Sequence, residues 1–333
     1  MLENNNKQIA VIGGGSWATA LAYILCKNGE NILWWMRNEE NIDSFVKHGR
    51  NPNYLTDADF NTDRIEFSAD LKYIVHRADI IILAIPSAFL HKAFESLNIS
   101  LEDKIVFSAI KGIIPETNQI VGEYLMDTFN ISSANIGVIS GPCHAEEVAL
   151  ERLSYLTIAS ECEATRNFMA DKLNSPFIKT TLSDDIYGTE VAAVLKNVIT
   201  IVTGVAHGLG YGDNFIAVLI SNAIREIKRF VDAYHPIDRD INDSAYLGDL
   251  LVTSYSKFSR NRIFGTMLGK GYSVNAAQLD MNMIAEGYYA IKCFHTINER
   301  YQVHMPITEA AYNIVYRKIS PRVELRLLSD KLD

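Results

Sequence analysis

The chain is short of positive charge. Its 31 Lys and Arg stand against 40 Asp and Glu, a formal net charge of −9 at pH 7. Bulk binding to nucleic acid needs a basic stripe that neutralises phosphates, so no nucleic-acid partner is expected and any anionic ligand must be held locally. The polar start Met1-Leu2-Glu3-Asn4-Asn5-Asn6-Lys7 lacks the charged and apolar regions of a signal peptide. No uninterrupted apolar run approaches the roughly 20 residues that span a bilayer. No integral membrane contact is therefore expected, and the expected location is cytoplasmic. The four cysteines, Cys26, Cys143, Cys162 and Cys293, have no C-x-x-C spacing; this fits reduced thiols better than disulfides or zinc, and no metal is expected. Internal repeats, low-complexity tracts and flexible linkers are also missing.

What the chain does have is apolar patterning. With 333 residues, 48% of them hydrophobic, it is long enough for a large core and two domains. Ile9-Ala10-Val11-Ile12 runs through Gly13-Gly14-Gly15 into Ser16-Trp17-Ala18-Thr19-Ala20-Leu21-Ala22, a strand, a glycine turn and an Ala-rich helix. In a dinucleotide-binding turn the first glycine permits the tight bend, the third lets backbone approach a pyrophosphate, and a small sixth residue, here Ala18, lets helix pack on strand. The helix start adds free N–H groups and a positive dipole end. Ile32-Leu33-Trp34-Trp35-Met36-Arg37 reads as the second strand. An NAD site usually places an acid near its end, about 20 residues past the turn, for the ribose 2′-hydroxyl. Arg37 stands there instead and suits a 2′-phosphate, which favours NADP(H). NAD(H) is the alternative, with Arg37 a solvated strand-end residue and Glu39 or Glu40 on the ribose.

Three further apolar runs, 78–87, 104–112 and 135–142, read as buried parallel strands. Pro86, Lys111 and Gly141 end them and are expected to converge on the crevice beyond the strand ends. Phe89–Leu97 and Thr117–Thr128 are expected as crossover helices, and Tyr155–Ala159 and Phe177–Thr181 as strands around a helix at 163–173. Lys111 delivers a compact cation to the crevice or is a surface lysine; its position favours neither. From about Ile186 the strand pattern gives way to helical runs. The expected division is a dinucleotide-binding domain, 1–185, and an all-helical substrate domain, 186–333.

Lys196 is the one cation in the apolar run from Val191 to Val202. Its helical neighbours Ala192, Ala193, Ile199 and Thr200 cannot pair with its charge. A desolvated ammonium has a lowered pKa and is poised for proton transfer near neutral pH; a snorkelling structural lysine is the plainer alternative. The segment 204–214 reads as a glycine-rich break, with His207 structural and Asp213 capping the helix through Phe230. Asp249 precedes an apolar run as an acid or a helix cap. Ser259-Arg260-Asn261-Arg262 is an anion site or a solvated loop.

Taken together, Gly13–Thr19, Ile110-Lys111-Gly112, Ser140-Gly141-Pro142, Leu195-Lys196-Asn197, Gly248-Asp249-Leu250, Ser259-Arg260-Asn261-Arg262 and Met305-Pro306-Ile307-Thr308-Glu309 resemble the bacterial-type NAD(P)-dependent glycerol-3-phosphate dehydrogenases. Seven blocks in order over nearly the whole chain carry the resemblance. It implies a Rossmann-type doubly wound α/β sheet followed by a C-terminal helical domain. The implied reaction is reversible reduction of dihydroxyacetone phosphate to sn-glycerol 3-phosphate for phospholipid synthesis. By resemblance, Lys196 is catalytic with Asp249, and Lys111, Gly141, Cys143, Lys196, Asp249 and Asn261 meet substrate. The implied cofactor contacts are Gly13, Gly15, Ser16, Trp17, Arg37, Lys111, Ala145, Ser259, Arg260, Ile284 and Glu286. Around Gly141 the chain departs from the family, which reads Thr-Phe-Ala-Lys-Glu where this chain has Cys143-His144-Ala145-Glu146-Glu147; a thiol is a poorer donor than a hydroxyl. The family's glycine and proline are missing from Leu150-Glu151-Arg152-Leu153-Ser154. A small phosphorylated substrate is the expected partner, and a homodimer is left open. A ketopantoate- or β-hydroxyacid-dehydrogenase type of NADP enzyme and a non-catalytic NADP-binding protein are the alternatives.

Overall fold

Strand β1 (Ile9–Ile12) has four apolar residues, all fully buried, as expected where helices cover both faces of a parallel sheet. The computed structural model describes residues 7–95, 97, 99–281 and 285–333. The strands that follow are β2 (Ile32–Trp35), β3 (Ile65–Ser68), β4 (Ile80–Leu83), β5 (Ile105–Ser108), β6 (Ile113–Ile114), β7 (Gln119–Ile120), β8 (Ile136–Ser140), β9 (Ser154–Ala159) and β10 (Ile178–Ser183). Eight of them form one sheet in the order β10-β9-β8-β5-β4-β1-β2-β3. Every neighbouring pair is parallel except β8 with β9. The strand order turns around beside β1, which pairs with β2 on one side and β4 on the other. That is the switch point where doubly wound sheets take ligands.

Seven helices accompany this sheet: α1 (Ser16–Lys27), α2 (Glu39–His48), α3 (Leu71–Arg77), α4 (Ser87–Glu95), α5 (Val121–Phe129), α6 (Ala145–Ala149) and α7 (Glu163–Leu173). Helix α1 buries Ala18, Thr19, Ala20, Leu21 and Ala22, small side chains that let it lie close on the sheet. The crossover expected over 89–97 is α4, which starts earlier, at Ser87. The helix expected over 117–128 starts only at Val121, because the preceding residues form the antiparallel β6–β7 pair. Asn118, at φ 56°, makes its turn, a conformation that Asn tolerates.

The remaining helices are α8 (Ile186–Gly208), α9 (Asp213–Tyr234), α10 (Asp249–Tyr255), α11 (Arg260–Gly269), α12 (Val274–Asp280), α13 (Glu286–Tyr301), α14 (Pro306–Val315) and α15 (Pro321–Ser329). By contacts the chain forms two units, Met1–Ile110 with Val121–Ile186, and Lys111–Ile120 with Tyr187–Asp333. A single boundary near 185 therefore needs correction. The ten residues from Lys111 belong to the helical unit, where Ile113 and Ile120 are buried in the core.

Helices α8 and α9 each correct a further expectation. Helix α8 runs on through Gly204 to Gly208, so the expected break shortens to the four residues between Gly208 and Asp213. A methyl group on Gly204 would collide with the Arg262 carbonyl, and one on Gly208 with that of Thr266. By length and composition α8 is also the one helix among the described residues that could cross a membrane, but most of it is buried inside the helical core. Helix α9 is capped by Gly212, and Asp213 is its first residue, where a carboxylate favours the helix dipole.

Candidate active site

The glycine turn follows β1, and at its first position no other residue fits. Gly13 has φ 135°, and a Cβ there would collide with the Ala84 carbonyl. Its N–H donates to Trp35 O at 3.1 Å, which ties the turn to the end of β2. Gly15 caps α1 in an extended conformation, with open space where a side chain would stand. Ser16 and Trp17 open the helix, and Trp17 packs partly buried against the core of this unit. A helix start with small, open residues is an anion site by construction of the backbone, so these residues fit a dinucleotide's pyrophosphate. Arg37, Glu39 and Glu40 all stand exposed just beyond β2, so partners for a 2′-phosphate and for a 2′-hydroxyl are both present. Asn38 between them caps α2, accepting from Glu40 N at 2.8 Å.

At the end of β8, Gly141 has φ 108°, and a Cβ would lie 2.9 Å from Tyr155 O. Backbone geometry alone thus requires that glycine. Cys143 is buried, and Ala145 opens α6.

The ionisable cluster lies in the helical unit. A turn of π-helix, Ser244–Gly248, leads into α10 and places Asp249 at its first position, 1% exposed. Lys196, 4% exposed at the middle of α8, forms an ion pair with Asp249 Oδ1. Lys111 Nζ reaches the other oxygen, Oδ2, at 3.2 Å. One buried carboxylate therefore serves two ammonium groups. Lys111, with 19% of its side chain exposed, is the most open of the three. Lys196 Nζ also donates to Thr253 Oγ1 at 3.1 Å, and that hydroxyl donates to Asp249 O at 2.7 Å. Asn197 Nδ2 donates to Lys111 O at 2.8 Å and fixes the backbone that carries Lys111.

Burial pushes the Lys196 ammonium down to about 7; Asp249 opposes the shift and Lys111 adds to it. Burial pushes the Asp249 carboxyl up, but Lys111 and Lys196 outweigh that and hold it below its ordinary value. The result is a dry centre with surplus positive charge and a lysine that titrates near neutrality. It can give up a proton and stabilise a developing oxyanion.

Asn261 is buried, and its Oδ1 accepts from Gly287 N at 3.0 Å. Ser259 caps α11, accepting from Arg262 N, and Arg260 is exposed on the first turn. Arg262 Nη1 donates to Tyr255 O at 3.2 Å. Glu286 opens α13. Ile284 lies outside the described residues. The structure thus joins Lys111, Lys196 and Asp249 directly. Gly13, Gly15, Ser16, Trp17, Arg37, Gly141, Cys143 and Ala145 belong to the sheet unit. Sequence reasoning missed Thr253, whose one legible signal is its place four residues after Asp249 on the same helix face.

Both halves of the chain match a family model. Residues 8–166 match the one described as NAD-dependent glycerol-3-phosphate dehydrogenase N-terminus, and residues 185–326 its C-terminal counterpart. The glycerol-3-phosphate dehydrogenase (NAD(P)+) of Staphylococcus saprophyticus is 34% identical over 311 residues, 93% of each chain. That of Limosilactobacillus reuteri is 34% identical over 332 residues, 98% of this chain and 97% of its own. The crystal structure of glycerol-3-phosphate dehydrogenase from Coxiella burnetii superposes with a TM-score of 0.89 at 27% identity, covering 97% of this chain and 98% of the other. A ketopantoate reductase from Ralstonia eutropha, at TM-score 0.59 and 14% identity, shares the fold alone. With both halves matched, the chain belongs to the NAD-dependent glycerol-3-phosphate dehydrogenase family.

Proposed function

We propose that the chain catalyses the reversible NAD(P)H-dependent reduction of dihydroxyacetone phosphate to sn-glycerol 3-phosphate, supplying glycerophospholipid synthesis. The observation that carries this reading is the buried Lys196–Asp249–Lys111 cluster in a chain of this family. Ketone reduction adds a hydride to carbon and a proton to oxygen. Bound NAD(P)H supplies the hydride. Lys196 Nζ gives its proton to the carbonyl oxygen in reduction and takes it back in oxidation. Asp249 holds Nζ in place and, with Thr253, leaves it a fixed direction. Lys111 and Asn261 hold polar oxygens of the substrate, with Gly141 and Cys143 beside it, and Arg260 serves a phosphate. Gly13, Gly15, Ser16 and Trp17 hold the cofactor's pyrophosphate. Arg37 favours NADP(H) over NAD(H), and Ala145, Ser259, Ile284 and Glu286 complete the cofactor contacts.

NADPH and NADH absorbance, followed with dihydroxyacetone phosphate, tests reaction, substrate and cofactor preference together. Turnover only with a carboxylate substrate such as ketopantoate would replace this reading. Lys196→Met should lower turnover by about 10²- to 10⁴-fold, the usual worth of a general acid, while NADPH binding stays nearly intact by fluorescence titration. Retained turnover would remove Lys196 from the proton step.

A further inference from the structure

Three side-chain hydrogen bonds converge on the glycine turn from outside it. Trp34 Nε1 donates to Gly13 O at 2.6 Å. Asn51 Nδ2 donates to Gly14 O at 3.2 Å and to Thr19 Oγ1 at 2.8 Å. The Thr19 hydroxyl in turn donates to Gly15 O at 2.9 Å. Asn51 is fully buried, and its Oδ1 is occupied by Asn53 N at 3.0 Å and Tyr54 N at 3.2 Å. The side chain is therefore held in one orientation. Trp34 is fully buried too, edge-on to Phe45 with ring centroids 5.2 Å apart and stacked on Phe67 at 5.5 Å.

These bonds take up the carbonyls of three successive peptides. In a trans peptide the N–H points opposite to the carbonyl, and no peptide among the described residues is cis. Holding the oxygens of Gly13, Gly14 and Gly15 on the protein side thus turns the N–H groups of Gly14, Gly15 and Ser16 to the other side. Among the described residues neither Gly14 N nor Gly15 N has a hydrogen-bond partner, and the space beside Gly15 is open. Successive outward N–H groups make a concave anion site.

We propose that Trp34 and Asn51 are positioning residues that hold the turn in its pyrophosphate-binding form before the cofactor arrives, a role that rests on the dinucleotide reading given above. Neither touches the cofactor. Their contribution is preorganisation: without them the turn pays an ordering cost when it binds.

The test compares two ligands on the full chain. One is NADPH. The other is adenosine 2′-monophosphate, the same nucleoside end without the pyrophosphate, or adenosine if NADH proves the tighter cofactor. Trp34→Phe keeps an aromatic ring in the cluster and removes the Nε1 donor together with part of the indole ring, whose lost volume would act on both ligands alike. It should weaken NADPH binding about fivefold, the worth of one hydrogen bond, and leave the pyrophosphate-free ligand unchanged. The KM for NADPH should rise by more than kcat falls. Asn51→Asp puts a carboxylate oxygen against Gly14 O and should weaken NADPH binding about tenfold or more. If Asn51→Asp does not fold, Trp34→Phe decides alone. Equal weakening of both ligands, or unchanged NADPH binding in Trp34→Phe, overturns the proposal. Failure of the unaltered chain to bind NADPH or NADH overturns the dinucleotide reading itself, together with the clamp.

Discussion

Lys196 carries a charge that its surroundings barely tolerate. Burial favours the neutral amine and Asp249 favours the ammonium, leaving the group to titrate near 7 instead of its ordinary 10.5. The sign of the pH dependence follows. Reduction consumes the protonated form, so kcat for ketone reduction should fall as pH rises through about 7, while kcat for alcohol oxidation rises through the same region. Between about 7 and 10.5 the unfolded chain binds the proton that the folded one has released. On its own this group therefore makes stability increase with pH across that window. Asp249→Asn removes the attraction and leaves the repulsion from Lys111, so the midpoint of the reduction profile should move to lower pH. The buried Lys196 ammonium and the partly exposed Lys111 also lose their shared counterion, a loss of about 3–5 kcal/mol by analogy with broken buried pairs. Rate profiles and urea unfolding check both, and an unmoved midpoint would show that another group sets the profile.

Helices α8 and α11 meet backbone to backbone. A methyl group on Gly265 would collide with the Ile201 carbonyl and one on Gly269 with that of Val205, reciprocating the fit of Gly204 and Gly208. Small residues four apart on both helices permit this approach, and any side chain forces the helices apart. Gly265→Ala should cost about 1–3 kcal/mol or somewhat more, the range for overpacking a close contact. Gly212→Ser, at a helix cap with open space and φ −84°, should cost nothing and supply a capping hydroxyl. Thermal unfolding of the two variants checks the contrast; equal melting points would refute it. The difference also shows what sequence pattern leaves out. Most strands of the sheet were legible as short runs with a polar or glycine end, whereas β3, Ile65-Glu66-Phe67-Ser68, is too short and too polar to stand out, and Lys196 stood out because a charge in an apolar helix has few explanations. Gly204 and Gly208 were misread as a break because their reason lies on α11, some sixty residues away in the chain. Asn51 and Thr253 were invisible for the same cause: an Asn after a helix and a Thr within one acquire their roles only from the groups that tertiary structure brings to them.

At the scale of the molecule, the chain leaves the sheet unit after Ile110, returns at Val121, and leaves again after Ile186. Only the last crossing is visible in the sequence, because there a strand pattern gives way to more than a hundred residues of helical pattern. The first excursion is ten residues long, too short to shift composition. Its consequence is nonetheless large, since it anchors Lys111 in the unit that holds Lys196 and Asp249. Ile113 is 1% exposed within the helical core, and its strand packs on α13. Ile113→Ala should therefore destabilise the helical unit by about 2–5 kcal/mol and speed amide exchange in α8 and α13, while β1, β2 and β4 keep their protection. Because Lys111 lies two residues upstream, kcat should fall as well. Exchange that quickened equally in the sheet would assign Ile113 to the core of the other unit and return the boundary to a single point.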